Sequence, residues 1–478
     1  NIVGVENFST DPKDLEPYSK DFSFTPKRMP TCLVKPGSAE EVSEIIKLAN
    51  ETKTPVIPIS SGIHFYGGIV PKYGGIVMDL SRMNRIIRID VLNRKAVIEP
   101  GVTWKQLQSE LSKHGLMALN PLFPPTAKSA LTSILDKEPS LVTKFEHADP
   151  IMAMRMVFPT GEFFATGSAC VPGALAPNGY PIEGIDLCNP YGPGINWFRL
   201  MEGSQGTLGV VLWANIKLTN LPTVQEIYLI PFETINEAVE YMYKVLRRMI
   251  GHECFLLNRF NLANILAENW PKDFDELKTV LPPFTVVLVL AGGYRRSEEK
   301  IEYEKNYLNR IGLELATNIL PTFSPRIVRR FQRMLRTSFE EDPHWKIRYK
   351  GSFQDIFFLT TMDKASKFTD LAYQLAAKHE YPMGDVGIYL QPIEYGRCAH
   401  FECSFFYNPE DPKDVEKVYE LYHEMVDYSI DLGAFFSRPY DYAAEVVFSR
   451  ATEYTIALRK IKSILDPNNI MNPGKLCF

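Results

Sequence analysis

Short apolar runs alternate with helical patterns along the first part of the chain. The stretch TCLVKPGSAEEVSEIIKLANETKTPVIPISSG predicts a strand, a Pro-Gly turn, a helix and a second strand. The stretch GGIVMDLSRMNRIIRIDVLNRKAVIEPGV predicts three further short strands separated by turns. An amphipathic helix follows in TWKQLQSELSKHG and is expected to end at Gly115. We therefore predict a mixed α/β unit over residues 1–222.

The pattern changes near residue 223, where longer apolar runs alternate with charged helices. EIYLIPF, ECFLLN, FTVVLVLAGG and DIFFLTTM predict strands, and VGIYLQPI with RCAHFECSFFY predicts an antiparallel hairpin. After residue 440 a helical pattern leads to PNNIMNPGKLCF, which we expect to dock on the first unit. The predicted organisation is therefore a unit of residues 1–222, an α+β unit over one antiparallel sheet at 223–440, and a C-terminal return at 441–478.

The second hairpin strand alternates in a way that separates two kinds of side chain. Because successive residues of a strand point to opposite faces, one face takes Arg397, Ala399, Phe401, Cys403 and Phe405. The other face takes Cys398, His400, Glu402 and Ser404. His400 and Glu402 could line a pocket, or form a hydrogen-bonded pair at the surface of the sheet.

Composition narrows the class of protein. With 45% hydrophobic and 23% charged residues, the 478-residue chain has the balance of a soluble globular protein. A formal net charge of -5 with mixed signs speaks against nucleic acid as a partner. No apolar run reaches the roughly 20 residues of a membrane span, and no signal peptide is visible. Seven cysteines without a CxxC pair predict free thiols in a reducing, cytoplasmic setting and no metal or iron–sulfur site.

Two glycine-rich loops, SSGIHFYGG at 60–68 and MEGSQGTLGVV at 201–211, carry the first chemical signal. Each lies beside a predicted strand, and glycines allow backbone N–H groups to point together at an anion. Two such loops suit one extended cofactor that contains phosphate, although they could also be independent turns. The GxGxxG pattern of a Rossmann fold is absent.

Taken together, these motifs resemble the vanillyl-alcohol oxidase/PCMH superfamily of FAD-linked oxidoreductases. The family order is kept by the loop SSGIHFYGG, MDLSRMNRI, VIEPGVTW, GSQGTLGVV and the terminal LDPNNIMNPGKL. The resemblance implies an α+β fold, in which a PCMH-type FAD-binding domain of two subdomains is split by an inserted α+β cap domain with an antiparallel sheet. It also implies FAD as the cofactor. The residues implied to bind FAD are Ser60, Ser61, Gly62, Ile63, His64, Gly67, Gly68, Pro100, Gly101, Gly203, Gly206, Gly209, Val210, Asn472 and Lys475.

The resemblance is nearest to the branch of vanillyl-alcohol oxidase and 4-cresol dehydrogenase. FYGGIVPK places Tyr66 at that branch's loop tyrosine, and FEHADPIMAMRMVFPTGE places Glu146 at its acid. A YGP motif recurs at 191–193, and Arg438 follows Ser437 where the family has Tyr-Arg. The runner-up is the D-lactate and glycolate dehydrogenase branch, whose metal-binding HxGDGNxH and GEHG motifs are incomplete in this chain.

The implied reaction is the transfer of a hydride from a hydroxylated, phenolic or benzylic substrate to flavin N5. Tyr66, Glu146, Arg438 and His400 are the candidate catalytic residues. Arg438 would stabilise a substrate anion, and Glu146 would act as an acid or base. His64 matches the spacing of a histidine that another branch bonds covalently to the flavin, so it is the candidate for a covalent link. Its alternative role is to bond the loop backbone.

Two alternative functions remain open at this point. One is an FAD-linked D-2-hydroxy-acid dehydrogenase of the lactate or glycolate type, which would pass electrons to a protein partner. The other is the flavin subunit of an electron-transfer complex. The expected partners are a small-molecule substrate and an electron-acceptor protein, either a cytochrome, an iron–sulfur protein or an electron-transfer flavoprotein. A homo-oligomer is a further expectation.

Overall fold

The computed structural model describes residues 2–61, 63–144, 150–293, 295–315 and 325–478. Its strands form three sheets. The first sheet, in the order β1-β2-β4-β3, contains β1 (Phe8–Ser9), β2 (Cys32–Val34), β3 (Val56–Ile59) and β4 (Ile76–Asp79). The strands β2, β3 and β4 run parallel, and β1 pairs antiparallel with β2.

The second sheet is antiparallel and has the order β5-β6-β10-β8-β9, with β7 paired to β10. Its strands are β5 (Ile86–Asp90), β6 (Lys95–Ile98), β7 (Leu116–Ala118), β8 (Ile151–Val157), β9 (Phe163–Ala165) and β10 (Val210–Asn220).

The third sheet is antiparallel throughout, in the order β11-β13-β12-β15-β16-β14. Its strands are β11 (Val224–Phe232), β12 (Glu253–Asn258), β13 (Phe284–Gly292), β14 (Ser352–Thr360), β15 (Gly387–Ile393) and β16 (Cys398–Tyr407). The pairing of β15 with β16 is the predicted antiparallel hairpin. Mixed helices and sheets with this antiparallel core confirm the predicted α+β fold.

Local sequence explains where many of the helices begin. Ser38, Thr103, Ser129 and Thr234 each accept a hydrogen bond from the backbone N–H three residues on, which satisfies a donor that the first turn leaves free. The α-helices are α1 (Pro12–Leu15), α2 (Ala39–Thr52), α3 (Trp104–Ser112), α4 (Ala130–Leu135), α5 (Phe198–Met201), α6 (Ile235–Leu246), α7 (Arg259–Leu266), α8 (Lys272–Val280), α9 (Ser297–Leu315), α10 (Pro325–Arg336), α11 (Ala365–Lys378), α12 (Pro412–Asp431), α13 (Asp441–Arg450) and α14 (Thr452–Leu465).

The third sheet has two chemically different faces. On the β16 side that packs into an apolar core with α6, α9, α11 and α12, the chain places Ala399, Phe401, Cys403 and Phe405, as the alternation predicts. The opposite face packs against α7, α8 and α10 and against the loop that contains Phe65. His400, Glu402 and Ser404 lie on this second face and are buried there.

The C-terminal stretch lies against the first sheet and both glycine loops. Met471 pairs with Val56 of β3, and the backbone N–H of Asn472 donates to the Val56 carbonyl oxygen at 2.9 Å. These contacts agree with the expected docking, and the domain boundaries at 222 and 440 stay predictions. Among the described helices, none combines the length and the apolar character that a membrane crossing requires.

Candidate active site

A cavity of about 1010 Å³ is lined by both glycine loops, by α4 and by the ends of β3 and β10. This volume counts all the space between the lining residues, including the part open to solvent. The predicted FAD-binding residues that line it are Ser60, Ile63, His64, Gly68, Pro100, Gly203, Gly206, Gly209 and Val210. The structure therefore brings residues far apart in the chain around one space of cofactor size.

The other predicted FAD-binding residues lie around this cavity without lining it. Asn472 donates from Nδ2 to the carbonyl oxygens of Gly68 at 2.9 Å and Gln205 at 2.7 Å, so it ties the two loops together. Lys475 donates from Nζ to the Gly67 carbonyl oxygen at 2.6 Å. Ser61 and Gly101 lie in adjoining backbone turns, and Gly62 falls outside the described residues. Their roles toward FAD stay predictions.

The cavity walls suit a phosphate-containing, partly aromatic cofactor. Gly206 has φ +71°, and a Cβ there would lie 2.6 Å from Cγ of Pro58, so the second loop approaches β3 at a distance only glycine permits. Next to the cavity, the buried Oγ of Ser61 has no hydrogen-bond partner among the described residues. Leu131, Leu135 and Ile69 supply apolar walls. These residues fit FAD.

His64 lines this cavity, and its Nε2 bonds the carbonyl oxygen of Ser61. Because a carbonyl oxygen only accepts, Nε2 carries the proton and Nδ1 keeps its lone pair. Burial lowers the pKa of His64 to about 4, so the ring is neutral near pH 7. This is the backbone-bonding role named as the alternative in the sequence analysis, and the covalent link stays a prediction.

A second cavity of about 500 Å³ adjoins the first and shares Phe65, Tyr66 and Lys128 with it. Its inner end is the polar face of the third sheet, where Tyr389, His400 and Glu402 line it. Strand register explains this grouping, because Glu402 lies between Phe357 of β14 and Tyr389 of β15. The rest of the lining combines Glu138, His344, Lys346 and Arg438 with the apolar residues Pro121, Leu122, Phe123, Pro124, Pro125, Pro139 and Trp345.

A buried network of charges runs beneath this cavity. Nζ of Lys346 contacts Oδ2 of Asp355 and lies 2.7 Å from Oε1 of Glu402. Nε2 of His400 lies 3.3 Å from Oε2 of Glu402. The Tyr66 hydroxyl donates to Oδ2 of Asp355 at 3.0 Å. The network thus joins the loop tyrosine to the sheet histidine through two carboxylates and one lysine.

Protonation in this network follows from burial and from the central lysine. Burial disfavours the charge on Glu402, but Lys346 and His400 outweigh that effect and lower the pKa of Glu402. Burial and the neighbouring Glu402 raise the pKa of Asp355, and burial with Asp355 raises the pKa of Tyr66 far above its usual range. Burial lowers the pKa of His400. Near pH 7, Tyr66 therefore carries its proton and His400 is neutral.

Arg438 is 4% exposed and lines the second cavity. The backbone of Phe435 exchanges two hydrogen bonds with Leu359 of β14, which brings the following residues back over the sheet. The Arg438 guanidinium carbon lies 4.2 Å from the ring centroid of Phe357. Its Nε and Nη1 are buried and have no hydrogen-bond partner among the described residues. The arginine thus offers two unused N–H donors and a positive charge inside an aromatic pocket.

The structure brings Tyr66, His400 and Arg438 together at the second cavity, whereas Glu146 lies outside the described residues. Sequence reasoning missed Lys346 and Asp355, because no motif surrounds them. It also missed Tyr440, which follows Arg438 by two residues and whose ring centroid lies 5.3 Å from that of Tyr66. A search for a tyrosine near Arg438, rather than directly before it, would have found Tyr440.

Tyr440 pairs with an aspartate that sequence reasoning also missed. Its hydroxyl is hydrogen-bonded to the side chain of Asp136, and both residues line the first cavity. Burial, reinforced by the charge of Glu138, raises the pKa of Asp136 to about 6. Within the described residues, no group of three or more His, Cys, Asp or Glu side chains is placed to hold a metal ion.

The fold and this paired cavity define an FAD-binding protein, and comparison with known proteins gives its family. The family described as "FAD binding domain" matches residues 30–167, and the family described as "FAD linked oxidases, C-terminal domain" matches residues 221–476. The second match covers more than half of the chain. The chain belongs to the FAD-linked oxidases and is an FAD-dependent oxidoreductase.

Sequence relatives and structural neighbours come from different branches of this family. The chain is 23% identical to the glycolate oxidase subunit GlcD of Bacillus subtilis, over 99% of this chain and 95% of that protein. It is 23% identical to the mitochondrial D-lactate dehydrogenase [cytochrome] of Arabidopsis thaliana, over 94% of this chain and 73% of that protein.

Among solved structures, p-cresol methylhydroxylase with substrate bound superposes with a TM-score of 0.82 at 19% identity, covering 100% of this chain and 95% of that one. The 4-ethylphenol oxidase of Gulosibacter chungangensis, in complex with isoeugenol, superposes with a TM-score of 0.82 at 20% identity, covering 99% and 94%. At these identities the likeness establishes the fold. Together with the two family matches, this fold confirms the PCMH-type resemblance of the sequence.

Proposed function

We propose that the protein oxidises a hydroxylated aromatic substrate, phenolic or benzylic, in the second cavity. The observation that carries this proposal is Arg438, a buried cation with two unused donors that stacks on Phe357 within an aromatic pocket. Aromatic walls favour a planar apolar body, and the arginine favours an oxygen anion attached to it. FAD, when bound, supplies the acceptor for the hydride that leaves the substrate.

In this proposal Arg438 holds the substrate oxygen. A phenol that loses its proton becomes an electron donor toward the carbon that releases hydride, so stabilising the phenolate assists the reaction. A fixed guanidinium in a dry pocket contributes several kcal/mol to such an anion, about 3–4 kcal/mol for one donor in comparable sites. Overall, the substrate loses one proton and one hydride, and it is thereby oxidised by two electrons.

The proton has a receptor in the same cavity. His400 is neutral and its Nε2 faces Glu402, which leaves the Nδ1 lone pair free to accept a proton. Tyr66 keeps its own proton because its hydroxyl donates to Asp355, so it orients rather than accepts. Glu146 remains a further candidate acid or base on the strength of the sequence.

A second candidate function is the oxidation of a D-2-hydroxy acid. The relatives named glycolate oxidase subunit and D-lactate dehydrogenase favour it. Arg438 would then bind the substrate carboxylate, and His400 with Glu402 would take the hydroxyl proton. The aromatic lining of the second cavity speaks for the phenolic substrate as the first choice.

The test is anaerobic bleaching of the flavin absorbance by a panel of compounds. The panel contains 4-alkylphenols, benzylic alcohols, D-lactate and glycolate. Each 4-alkylphenol is matched by its O-methyl ether, which has the same shape but no ionisable hydroxyl group. We expect the phenols to bleach the flavin and their ethers to leave it oxidised. Bleaching by the hydroxy acids alone would establish the second candidate instead.

Three further properties belong to the same proposal. Electrons leave the reduced cofactor to a protein acceptor, and the seven cysteines, all described and all free, suit the reducing cytoplasm. The proposal also includes a homo-oligomer, which is compatible with a protein electron acceptor and with a cytoplasmic location. A covalent flavin bond at His64 is tested by acid precipitation, since a yellow pellet marks a bonded flavin and a colourless pellet marks a free one.

A further inference from the structure

Lys346 lies at the centre of the buried network, although no motif singles it out. It is 8% exposed, and its ammonium group contacts two carboxylates at once, Asp355 of β14 and Glu402 of β16. Each carboxylate accepts from a different candidate for proton handling. Tyr66 donates to Asp355 at 3.0 Å, and the ring of His400 lies 3.3 Å from Glu402. Lys346 thus connects Tyr66 and His400 through the two carboxylates.

The charge balance at this point depends on that lysine. Two buried carboxylates near each other cannot both stay ionised without a cation beside them. Without Lys346, Asp355 would take up a proton, because burial and Glu402 already raise its pKa, and His400 would be left to balance the charge of Glu402 as an imidazolium. An imidazolium has no lone pair with which to accept a proton from a substrate.

We propose that Lys346 is a positioning residue that keeps His400 neutral and available as the base. It does so by balancing the charge of Glu402 from the side opposite the histidine. The role of His400 as the base rests on the proposed function, but the effect of Lys346 on the protonation state of His400 can be measured separately. The titratable groups that face this network from the packed elements are Tyr66, Lys128, Glu138, His344, Tyr389 and Arg438.

One facing group, Arg438, and the network carboxylate Glu402 act in opposite directions on His400. The positive charge of Arg438 disfavours its protonation, and the negative charge of Glu402 favours it. Lys128 and Glu138 form an ion pair with each other, which reduces their net effect on the network. Lys346 is the cation that contacts both carboxylates, whereas Arg438 acts on His400 through its charge alone.

The first experiment uses the FAD-loaded protein labelled with ¹⁵N-histidine. Substitution of His400 by Gln identifies the His400 resonances, and the variants Lys346→Met and Lys346→Arg are then titrated between pH 5 and 10. We expect His400 to be neutral with the proton on Nε2 at pH 7 in the wild-type protein. In Lys346→Met its titration should move upward by about 1–3 pH units, the usual effect of losing a neighbouring charge. Lys346→Arg should restore most of the wild-type behaviour.

The second experiment follows the rate of flavin reduction against pH. Loss of the cation should shift the acid limb of the profile upward in Lys346→Met, with activity recovered at high pH. Lys278→Met is the matched control, because Lys278 pairs with Asp385 at 2.5 Å in the same domain without lining either cavity. That control should leave the profile unchanged. FAD content and thermal unfolding show whether each variant is folded.

The outcomes separate this inference from the proposed function. An unshifted His400 titration in folded Lys346→Met would overturn the inference, as would a charged His400 at pH 7 in the wild-type protein, which needs no variant to fold. Equal behaviour of the Met and Arg variants would show that charge is not the lysine's contribution. If no phenol bleaches the flavin but His400 responds as expected, the inference stands and the substrate proposal fails.

Discussion

The two cavities of this protein are built from different materials. The first is lined by two glycine loops, with Gly203, Gly206 and Gly209 among them, and by apolar side chains such as Leu131 and Leu135. The second is lined by charged and aromatic side chains, with Glu402 and Arg438 at its inner end. Backbone amides can hold a phosphate-containing cofactor with little demand on side-chain identity. Recognition of a substrate anion requires particular side chains in a fixed arrangement.

This difference predicts which substitutions should affect cofactor binding in the first cavity and which should affect the reaction in the second cavity. A change of backbone conformation in a glycine loop should weaken cofactor binding. A change of side chain in the second cavity should leave the cofactor bound and remove the chemistry. Measuring FAD content and flavin reduction on the same variants therefore tests the division directly.

The largest effect is expected for Arg438→Met. The change keeps an apolar body against Phe357 but removes the buried charge, so kcat/KM for a phenolic substrate should fall by about 100- to 1,000-fold, as for loss of one anion-stabilising donor. FAD content should stay at the wild-type level. Arg397→Met, with a side chain 83% exposed, is the control for loss of an arginine. Loss of FAD from the Arg438 variant would show that the second cavity also contributes to cofactor binding, against the proposed division of roles.

A smaller effect is expected for Gly206→Ala, at the cofactor end. The left-handed backbone costs an alanine about 1–2 kcal/mol, and its Cβ would also meet Pro58. FAD affinity, measured by quenching of flavin fluorescence, should fall by about tenfold or more. Gly173→Ala is the matched control, because Gly173 has φ +81° but no atom within 4 Å of an added Cβ. Equal losses in the two variants would show that the contact with Pro58 contributes nothing.

The smallest effect is expected for Tyr66→Phe, at the boundary between the cavities. It removes one hydrogen bond to Asp355, worth about 0.5–1.5 kcal/mol, and keeps the ring that packs on Phe357. The rate of flavin reduction should therefore fall about fivefold, with FAD content unchanged. Tyr349→Phe removes a similar bond to Asp385 at 2.7 Å, away from both cavities, and should leave the rate unaltered. A rate loss above a hundredfold for Tyr66→Phe would show that the Tyr66 hydroxyl takes part in the chemical step and does not only orient the substrate.

The cofactor end could be predicted in detail because its signals are local. SSGIHFYGG and GSQGTLGVV each combine a strand end with glycines, so the loops are recognisable before the fold is known. The hairpin of β15 and β16 was also predictable, since alternation assigns His400 and Glu402 to one face. Sequence reasoning reached only part of the substrate end, where Tyr66, His400 and Arg438 were named without their partners.

Asp355 and Lys346 show why the other residues of the buried network could not be predicted from the sequence. Asp355 sits in DIFFLTTM, an apolar strand whose single acid could as well face solvent at an edge. Only the pairing of β14 with β16 sets it opposite Ser404, whose hydroxyl donates to it at 2.5 Å. Lys346 precedes that strand in a segment without periodicity, so nothing in the sequence relates it to Glu402.

Two glycine loops, an antiparallel cap hairpin and the motif order of an FAD-linked oxidase can all be recognised from the order of residues alone. These follow from backbone preference and strand alternation, which act over a few neighbouring residues. Only the tertiary structure decided which charges meet. Lys346, Asp355, Glu402 and Arg438 come from separate elements, and their protonation depends on burial and on one another. Such coupling acts through space, because low-dielectric surroundings strengthen charge interactions between residues that the chain order keeps apart.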